Sequence, residues 1–337
     1  MGSNPLLAVT MGDPVGIGPE IVARTFAAAE DVGARGLIVG DPLVVRRAVE
    51  VCDLQLEVHP VDAVAAARFE PGTVDVLDTH ALDEPLAWGE IDARAGRAAI
   101  AAIERATSEA LAGRVDAIVT GPINKEAIWA AGSPHLGHTE MLGALTGSSS
   151  PETMFVVREL QIFFTTRHLA LREAIAQVTR ERVLAAIQSA WSALQVFGYD
   201  QPRLAVAALN PHGGEGGNFG TEELEHIAPA CEDARVAGLA VVGPVPADSV
   251  FHQGLEGRFD GVLSHFHDQG HIAAKTFDFA GTVSVTVGIP IVRTSVDHGT
   301  AFDIAGTGRA SADTMLAAYR AGARFAPFVG RARRQWG

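Results

Sequence analysis

Short runs of apolar and β-branched residues alternate along this chain with longer alanine-rich stretches, and this alternation limits the folds available to it. Leu6–Thr10 has the character of a buried strand, and a glycine-rich loop and a helix over about 19–30 follow it. A long helix over 93–111 precedes another strand, predicted at 116–120. Strands that alternate with helices of ten or more residues are typical of α/β proteins with a largely parallel sheet.

Charge and composition exclude several classes of function. The 337 residues include 26 Lys and Arg against 40 Asp and Glu, a formal net charge of −14. Nucleic acids and anionic membrane surfaces both require clustered cations, so neither is expected as the main partner. No apolar run is long enough to span a bilayer, and no signal peptide is recognisable. Two distant cysteines, Cys52 and Cys231, indicate a reducing compartment. We therefore expect a cytoplasmic protein.

Three loops that follow predicted strands carry residues suited to small ligands. Residues 11–20 read MGDPVGIGPE, in which Gly16 and Gly18 permit close approach of a ligand to the backbone, although this is not a GxGxxG fingerprint. Residues 120–125 (TGPINK) offer an amine and an amide. His138 and Thr139 lie at the predicted start of a helix, which favours anionic groups.

Three histidines, His168, His212 and His267, lie in separate polar loops at predicted strand ends. Three imidazoles around one cation leave a coordination position open for a substrate oxygen, as a catalytic zinc site requires. His267 and His271 form a competing pair, because residues four apart share one helical face. Sequence spacing does not choose between these two sets.

Two cations are candidates for binding an anionic substrate. Lys275 follows the last histidine cluster by two helical turns, and Arg293 ends an apolar run (GIPIVR). An arginine at such a position can hold a carboxylate or phosphate through two parallel hydrogen bonds. The loop that follows, residues 294–310, is too polar for a core and too apolar for a solvated linker.

Six segments in this order carry a family resemblance: MGDPVGIGPEI, TGPINKEAI, GHTEML, NPHGGEGGNFG, HDQGH and RTSVDHGTAFDIAG. The sequence resembles the 4-hydroxythreonine-4-phosphate dehydrogenase family of vitamin B6 biosynthesis over about residues 6–325. The first and last segments also resemble the wider isocitrate/isopropylmalate dehydrogenase group, in which the last loop contacts a nicotinamide cofactor.

The resemblance implies a two-domain α/β/α sandwich of the isocitrate/isopropylmalate dehydrogenase-like type, with the active site in the interdomain cleft. We expect residues 1–122 and 293–337 to form the first domain, with the cofactor loop. Residues 123–292 then form the second, with the metal and substrate ligands and the dimer contact. The resemblance also implies a homodimer that shares the active site across its interface, and a divalent metal bound by His168, His212 and His267. By the same analogy, His271 is not a ligand.

The resemblance also assigns the remaining site residues. The expected substrate contacts are His138, Thr139, Lys275, Ser284 and Arg293. The expected cofactor contacts are Gly12, Asp13, His298, Gly299, Thr300, Ala301, Asp303 and Ile304. The candidates for accepting the proton are Lys275, Asp248 and Asp268.

The implied reaction is the metal-dependent, NAD(P)-linked oxidation of a phosphorylated 3-hydroxy acid. With 4-phosphooxy-L-threonine as substrate, decarboxylation would then give 3-amino-2-oxopropyl phosphate for pyridoxal phosphate biosynthesis. Ser284 stands where family members commonly have asparagine, so 4-phospho-D-threonate, its erythronate isomer or a cis-dihydrodiol are alternative substrates. A phosphoacyltransferase-like enzyme is the alternative from a different class. NAD and NADP remain open, and Zn²⁺ is favoured over Mg²⁺, Co²⁺ or Mn²⁺ because imidazoles suit zinc.

Overall fold

The computed structural model describes residues 4–29 and 32–337, and the chain forms two compact units. The first unit comprises Met1–Glu152 and Val283–Gly337, and the second comprises Thr153–Thr282. The domain division expected from the sequence, at 122/123 and 292/293, stays a prediction. The compact units place 123–152 and 283–292 with the first unit.

The described strands are β1 (Leu6–Thr10), β2 (Arg35–Gly40), β3 (Glu57–Val61), β4 (Thr73–Asp78), β5 (Ala117–Thr120), β6 (Glu152–Val157), β7 (Leu160–Phe164), β8 (Leu204–Ala207), β9 (Val241–Val245), β10 (Gly261–Ser264), β11 (Val283–Val287) and β12 (Arg293–Ser295). The described α-helices are α1 (Gly18–Ala28), α2 (Pro42–Val51), α3 (Ala93–Leu111), α4 (Lys125–Ala130), α5 (His138–Thr146), α6 (Leu171–Ala176), α7 (Arg180–Val196), α8 (Ala228–Val236), α9 (Ala247–Leu255), α10 (His267–Phe277), α11 (Asp313–Phe325) and α12 (Val329–Trp336).

The sheet of the first unit runs in the order β3-β4-β2-β1-β5-β12-β11. Its neighbouring strands are parallel except β11 and β12, which pair antiparallel. The chain passes from β1 to β2 on one side, and β5 pairs with β1 on the other. Strand order therefore reverses between β1 and β5, and ligands of α/β sheets bind at such a switch point, beyond the carboxyl ends of the strands.

The sheet of the second unit runs in the order β6-β7-β10-β8-β9. Only the β6–β7 hairpin is antiparallel among these neighbours. β10 thus lies between β7 and β8, and the loops that follow these three strands leave the sheet side by side. Mostly parallel sheets in both units confirm the expected α/β class.

Side-chain caps and apolar faces explain why these helices begin and pack where they do. Asp41 accepts a hydrogen bond from the Leu43 N–H at the start of α2, and Asp92 does the same for Arg94 in α3. α3 turns its small buried face toward a core that includes Ile103, Leu37 and Ile118. The second unit has its own core, which includes Ile162 of β7 and Val262 of β10. None of the described helices is long and apolar enough to cross a membrane.

Two local expectations are wrong. The apolar run GIPIVR predicts a strand at 291–293, but β12 lies at Arg293–Ser295, because its ladder with β5 begins at Arg293. A single helix capped by Thr221 is expected over 221–236, but a π-helical turn at Glu223–Ile227 precedes α8. The Glu223 side chain instead bonds to the backbone of the loop after β8, which explains the irregular start.

Candidate active site

The loops after β1 and β5 meet at the carboxyl edge of the first unit's sheet. The backbone N–H of Asp13 donates to the Pro122 carbonyl at 2.8 Å. Gly12 has a φ of 74°, and a Cβ there would lie 2.5 Å from the same carbonyl oxygen, so this contact requires glycine. The expected cofactor residues Gly12 and Asp13 therefore lie at the switch point of the sheet.

Asp13 is a buried carboxyl group with one oxygen unused. Oδ1 accepts the Val15 N–H at 3.0 Å, whereas Oδ2 is buried and has no hydrogen-bond partner among the described residues. Burial raises the pKa of Asp13 to about 6. Oδ2 is therefore available to a hydrogen-bond donor on a bound ligand.

The expected nicotinamide loop packs against the loop after β1 in the same unit. The Thr300 carbonyl accepts the Ile17 N–H at 3.0 Å, and a Cβ on Gly16 would lie 2.9 Å from the Thr300 Cβ. Gly299 and Asp303 are exposed, while Ala301 has a positive φ of 41°. The loop thus presents an accessible face at residues 298–304 on a fixed base.

Glu20 holds the far end of this loop. It is fully buried in α1, and its two carboxylate oxygens accept the N–H groups of Gly306 at 2.6 Å and Gly308 at 2.9 Å. Arg24, one turn further along α1, donates to the Gly308 carbonyl at 2.5 Å. Charge-assisted hydrogen bonds of this kind are the strong ones, so α1 fixes the loop's geometry.

Arg293 is a buried cation at the start of β12. Its Nε and Nη2 donate to Thr120 Oγ1 at 3.0 and 2.6 Å, and its Nη1 donates to Thr286 Oγ1 at 3.1 Å. No carboxylate forms an ion pair with it among the described residues. Burial lowers the pKa of Arg293 to about 9, which still leaves it charged at neutral pH. A guanidinium held only by hydroxyl groups suits an incoming anion.

His138 adds a neutral imidazole to the first unit's expected substrate contacts. Burial, with the Arg293 charge as a second cause, holds the pKa of His138 well below its usual range. Its Nε2 is buried and has no partner among the described residues. Thr139 is the next residue in the first turn of α5, and the buried Ser284 donates to the Ser295 carbonyl at 3.4 Å. The electrostatic influence of Arg293 on His138 places these two expected substrate contacts close together.

In the second unit, the three predicted metal-binding histidines follow β7, β8 and β10, with His168 and His212 in loops and His267 at the start of α10. The rings of His168 and His267 have centroids 5.7 Å apart. Both line a cavity of about 370 Å³ together with Arg167, Leu169 and Phe266, among others. The structure therefore brings two of the three histidines together at one opening.

His212 is not among the residues that line this cavity. It begins a loop in which 212–217 all have positive φ, with 52° at His212 itself and 44° at Glu215. Side chains with a Cβ rarely adopt this conformation, so surrounding contacts must hold it. Glu223 supplies them, because its carboxylate accepts the N–H groups of Leu209 and Asn210 at 2.8 and 2.7 Å.

The competing pair of His267 and His271 is in contact, but as stacked rings. Their centroids lie 3.7 Å apart with an interplanar angle of 11°. Imidazole lone pairs lie in the ring plane, so parallel stacked rings do not direct them at one ion. His271 also packs on Phe155, with centroids 4.1 Å apart. Asp268 accepts a hydrogen bond from His267 Nδ1 at 2.7 Å, which orients the other ring nitrogen.

Imidazole donors fit a divalent transition metal, and His168 and His267 are placed for one. Within residues 4–29 and 32–337, however, no set of three His, Cys, Asp or Glu side chains is arranged around a common point. The ligand role of His212 therefore stays a prediction.

Two of the expected proton acceptors lie on helices of the second unit. Lys275 lies two turns after His267 on α10, with Nζ 5.5 Å from the centre of the Phe279 ring. Asp248 is exposed in the first turn of α9.

Comparison with known proteins identifies the family. The model of the pyridoxal phosphate biosynthetic protein PdxA matches residues 33–322. The chain belongs to the PdxA family. A protein of Cutibacterium acnes, provisionally named D-threonate 4-phosphate dehydrogenase, is 54% identical over 332 residues, covering 98% of this chain and 96% of its own. A Symbiobacterium thermophilum protein with the same provisional name is 51% identical, covering 99% of this chain and all of its own.

A solved structure supports the same family assignment. The 4-hydroxythreonine-4-phosphate dehydrogenase of Klebsiella pneumoniae has a TM-score of 0.87 and 41% identity, and the match covers 96% of this chain and 99% of that one. This PdxA-family chain is therefore a dehydrogenase that acts on a CH–OH group. Membership implies a nicotinamide-type cofactor and a divalent metal. Both fit the residues present, through the unpartnered Asp13 Oδ2 and the exposed Gly299 and Asp303 of the first unit, and through the paired imidazoles.

Sequence reasoning missed the residues that support the site in this PdxA-family chain. Glu20 and Thr120 lie inside segments that the sequence singles out, GPEI and TGPINK, but neither has a distinctive spacing. Their partners lie 286 and 173 positions away. Only the fold shows such contacts, so no local signal was available.

Proposed function

We propose that this dehydrogenase oxidises a phosphorylated acid with a hydroxyl group β to its carboxylate, and that 4-phospho-D-threonate is the first candidate. The provisional names of two relatives above 50% identity support this substrate. The structural observation that carries the proposal is the buried Arg293, held by Thr120 and Thr286 without a carboxylate partner. An anionic group of the substrate, its phosphate or its carboxylate, supplies the missing negative charge.

Recognition of such a substrate uses the first unit's preorganised donors. Arg293 already has its guanidinium fixed, so little side-chain entropy is lost when an anion binds. His138, kept neutral by burial and by the Arg293 charge, offers an imidazole nitrogen without adding a second cation. Thr139 in the first turn of α5 adds a hydroxyl and a helix N-terminus. Together with Lys275 and Ser284, these are the proposed substrate contacts.

The chemistry has two steps that follow from the substrate. Loss of the C3 hydrogen as hydride and of the hydroxyl proton gives a 3-oxo acid. The C1–C2 bond then breaks, CO₂ leaves, and the electron pair moves into the C3 carbonyl before C2 takes up a proton. From 4-phospho-D-threonate the product is dihydroxyacetone phosphate.

The cofactor and the metal would each be held by residues of this chain. Gly12, Asp13 and the 298–304 loop would hold the nicotinamide cofactor, and His168, His212 and His267 would hold the metal. When bound, NAD(P)⁺ accepts the hydride, and a divalent cation lowers the pKa of a hydroxyl and polarises a ketone. The protein's own residues contribute binding, orientation and proton transfer.

Of the three candidates for the proton acceptor, we favour Lys275 and Asp248. Asp268 is bonded to His267 Nδ1, and a carboxylate in that position orients an imidazole. Lys275 lies just over two turns after His267 on α10, about 80° around the helix axis from it. A positioned base of this kind contributes about 10²–10⁴-fold to the rate.

A second candidate substrate is 4-phosphooxy-L-threonine, favoured by the name of the Klebsiella pneumoniae structure. Its oxidation and decarboxylation give 3-amino-2-oxopropyl phosphate. The two substrates differ chemically at C2, which carries a hydroxyl in one and an amino group in the other. The shared dehydrogenase naming favours both over the phosphoacyltransferase alternative.

The test is a substrate panel with NAD⁺ or NADP⁺ and with Zn²⁺, Mg²⁺, Co²⁺ or Mn²⁺. We expect reduced nicotinamide and CO₂ in equal amounts from 4-phospho-D-threonate, at a higher kcat/KM than from 4-phosphooxy-L-threonine, 4-phospho-D-erythronate or a cis-dihydrodiol. Equal amounts of the two products check the decarboxylation. No turnover with any phosphorylated hydroxy acid would refute the proposed class. Light scattering of the purified protein measures whether it is the expected homodimer.

A further inference from the structure

The three loops that carry His168, His212 and His267 share one buried side chain, that of His265. It lies between the ends of β10 and α10 and has no exposed surface. β10 is flanked by β7 and β8, so a side chain here reaches the loops on both sides. The sequence motif SHFHDQGH contains His265, but nothing in the spacing distinguishes it from its neighbours.

The imidazole of His265 joins the two flanking strands. Nε2 lies 2.7 Å from the carbonyl oxygen of Ala207, the last residue of β8. Nδ1 lies 3.2 Å from the hydroxyl of Thr165, directly after β7. A carbonyl only accepts, so Nε2 must carry the proton, and Nδ1 then accepts from the Thr165 hydroxyl. A neutral ring makes both bonds only in this tautomer, with the proton on Nε2 and none on Nδ1.

The backbone of His265 completes the connection. Its carbonyl accepts from the Thr166 hydroxyl at 2.8 Å, and its N–H donates to Gln269 Oε1 at 2.7 Å. Gln269 lies in the first turn of α10, and its Nε2 donates to the Ala208 carbonyl at 2.8 Å. The network therefore connects the chain two residues before His168, two residues before His267 and four residues before His212.

We propose that His265 is a positioning residue that fixes the three histidine loops relative to one another, and so sets how His168, His212 and His267 bind a divalent cation. The inference rests on the metal centre of the proposed function. His265 itself donates no nitrogen to the ion, because both of its ring nitrogens are used within the protein. Partners that only orient metal ligands typically change metal affinity by about 10–100-fold when they are mutated.

The experiment compares His265→Leu, His265→Gln and a control, Ile187→Ala. Leucine removes both side-chain bonds, whereas the amide of glutamine keeps a donor for the Ala207 carbonyl. Ile187 is fully buried on α7, so its truncation destabilises the second unit without removing any bond of the network. Each protein is titrated with Co²⁺ and followed through the metal's visible absorption.

We expect about 10–100-fold weaker Co²⁺ binding and an altered spectrum for His265→Leu, a smaller loss for His265→Gln, and no change for Ile187→Ala. Partial rescue by glutamine is the signature of positioning, since a general loss of stability affects the control as well. Wild-type Co²⁺ affinity and spectrum in His265→Leu would overturn the proposal.

Backbone hydrogen exchange supplies a readout that needs no metal. In His265→Leu we expect exchange to accelerate about tenfold or more in all three stretches, 165–168, 208–213 and 265–268, and not selectively in Ile187→Ala. Acceleration in one stretch alone would overturn the shared role. If the wild-type chain binds no Co²⁺, the metal centre of the proposed function fails, while exchange still decides whether His265 connects the loops.

Discussion

The two units hold their candidate site residues in different ways. In the first unit, Arg293 is part of a strand, and its guanidinium is bonded to Thr120 on β5 and Thr286 on β11. In the second, His168 and His212 are exposed on loops beyond the strand ends. The proposed anion-binding geometry is thus built into the sheet. The arrangement of the histidines depends instead on what lies beneath their loops.

Holding Arg293 inside the sheet lowers the folding stability of the first unit. A buried guanidinium without a carboxylate partner opposes folding, as the lowered pKa of Arg293 indicates. Such a group persists where function requires it, and its replacement by an apolar residue of similar length is often neutral or stabilising. Binding and stability therefore favour different residues at position 293.

The largest effect is expected from Arg293→Met. Loss of two charge-assisted hydrogen bonds to substrate, at about 1.5–3 kcal/mol each, corresponds to a fall of about 10³-fold in kcat/KM. The melting temperature should stay unchanged or rise, because an unpaired buried charge has been removed. Steady-state kinetics and thermal unfolding measure the two quantities.

Arg293→Lys keeps the charge but not the fork of donors, so its loss should be intermediate. Arg334→Met, at an exposed arginine of α12, is the matched control and should change neither quantity. Undiminished kcat/KM in Arg293→Met would show that the sheet-bound cation does not contact substrate.

The second-largest effect is expected from His212→Ala, which tests the histidines that the second unit holds on loops. If His212 is a ligand, Co²⁺ affinity should fall by more than the ~100-fold that outer-shell partners reach, and turnover should fall with it. The melting temperature of the metal-free protein should hardly change, because His212 is exposed. His252→Ala, an exposed histidine of α9 in the same unit, is the control. A fully active, metal-free His212→Ala protein would end the three-histidine hypothesis.

A smaller effect is expected from loosening the 298–308 loop of the first unit, which Glu20 holds in place. Glu20→Gln leaves one of the Gly306 and Gly308 N–H groups without an acceptor, a loss of about 1.5 kcal/mol. We expect about tenfold weaker binding of NAD(P)H, measured by its fluorescence, and a matching rise in cofactor KM. The substrate KM should stay the same.

Glu109→Gln is the control for a buried carboxylate that contacts no part of the cofactor loop, since its partners are Arg105 and Arg114. Both variants should lose stability, but only Glu20→Gln should lose cofactor affinity. Equal cofactor binding in the two would place residues 298–308 outside the cofactor site.

The sequence predicts the elements whose signals are local. β1 and α3 lie at their expected bounds because an uninterrupted apolar run and a cap residue define them. β12 differs because the apolar run GIPIVR continues the core before any strand pairing begins. β3 is not predicted from the sequence, because its side chains are mostly half-exposed and it contains Pro60. A proline is tolerated here because β3 is an edge strand.

The candidate site residues also divide into those with a local sequence signal and those without one. The candidates are predicted from local signals: His138 from a predicted helix start, His267 from the end of a predicted strand and Arg293 from the end of an apolar run. The residues that hold them are not, because each contact joins distant parts of the chain. His265 and Ala207 are 58 positions apart, and the pair is defined only once β8 and β10 are neighbours. Long-range hydrogen bonds of this kind have no counterpart in sequence spacing.

The smallest effect concerns Asp13, the buried carboxyl at the switch point of the first unit. Its pKa of about 6 in the folded chain, against 3.8 when unfolded, means that the folded state binds the proton more tightly. Its contribution to stability is therefore full below pH 4 and is lost as the pH rises through 6. Asp13→Asn, which cannot ionise, should gain about 1.4 kcal/mol relative to wild type between pH 5 and pH 8.

Urea unfolding of both proteins at the two pH values measures this difference, and Asp83→Asn, at an exposed aspartate of the same unit, should show none. Saturating NAD⁺ sharpens the test. A ligand donor on Oδ2 favours the ionised carboxylate. Bound cofactor should therefore reduce the loss of unfolding free energy between pH 5 and pH 8 in wild type, and it should not change the pH dependence of Asp13→Asn. A stability difference that is independent of pH would show that Asp13 is ionised throughout. Bound NAD⁺ would then have no protonation equilibrium at Asp13 to shift.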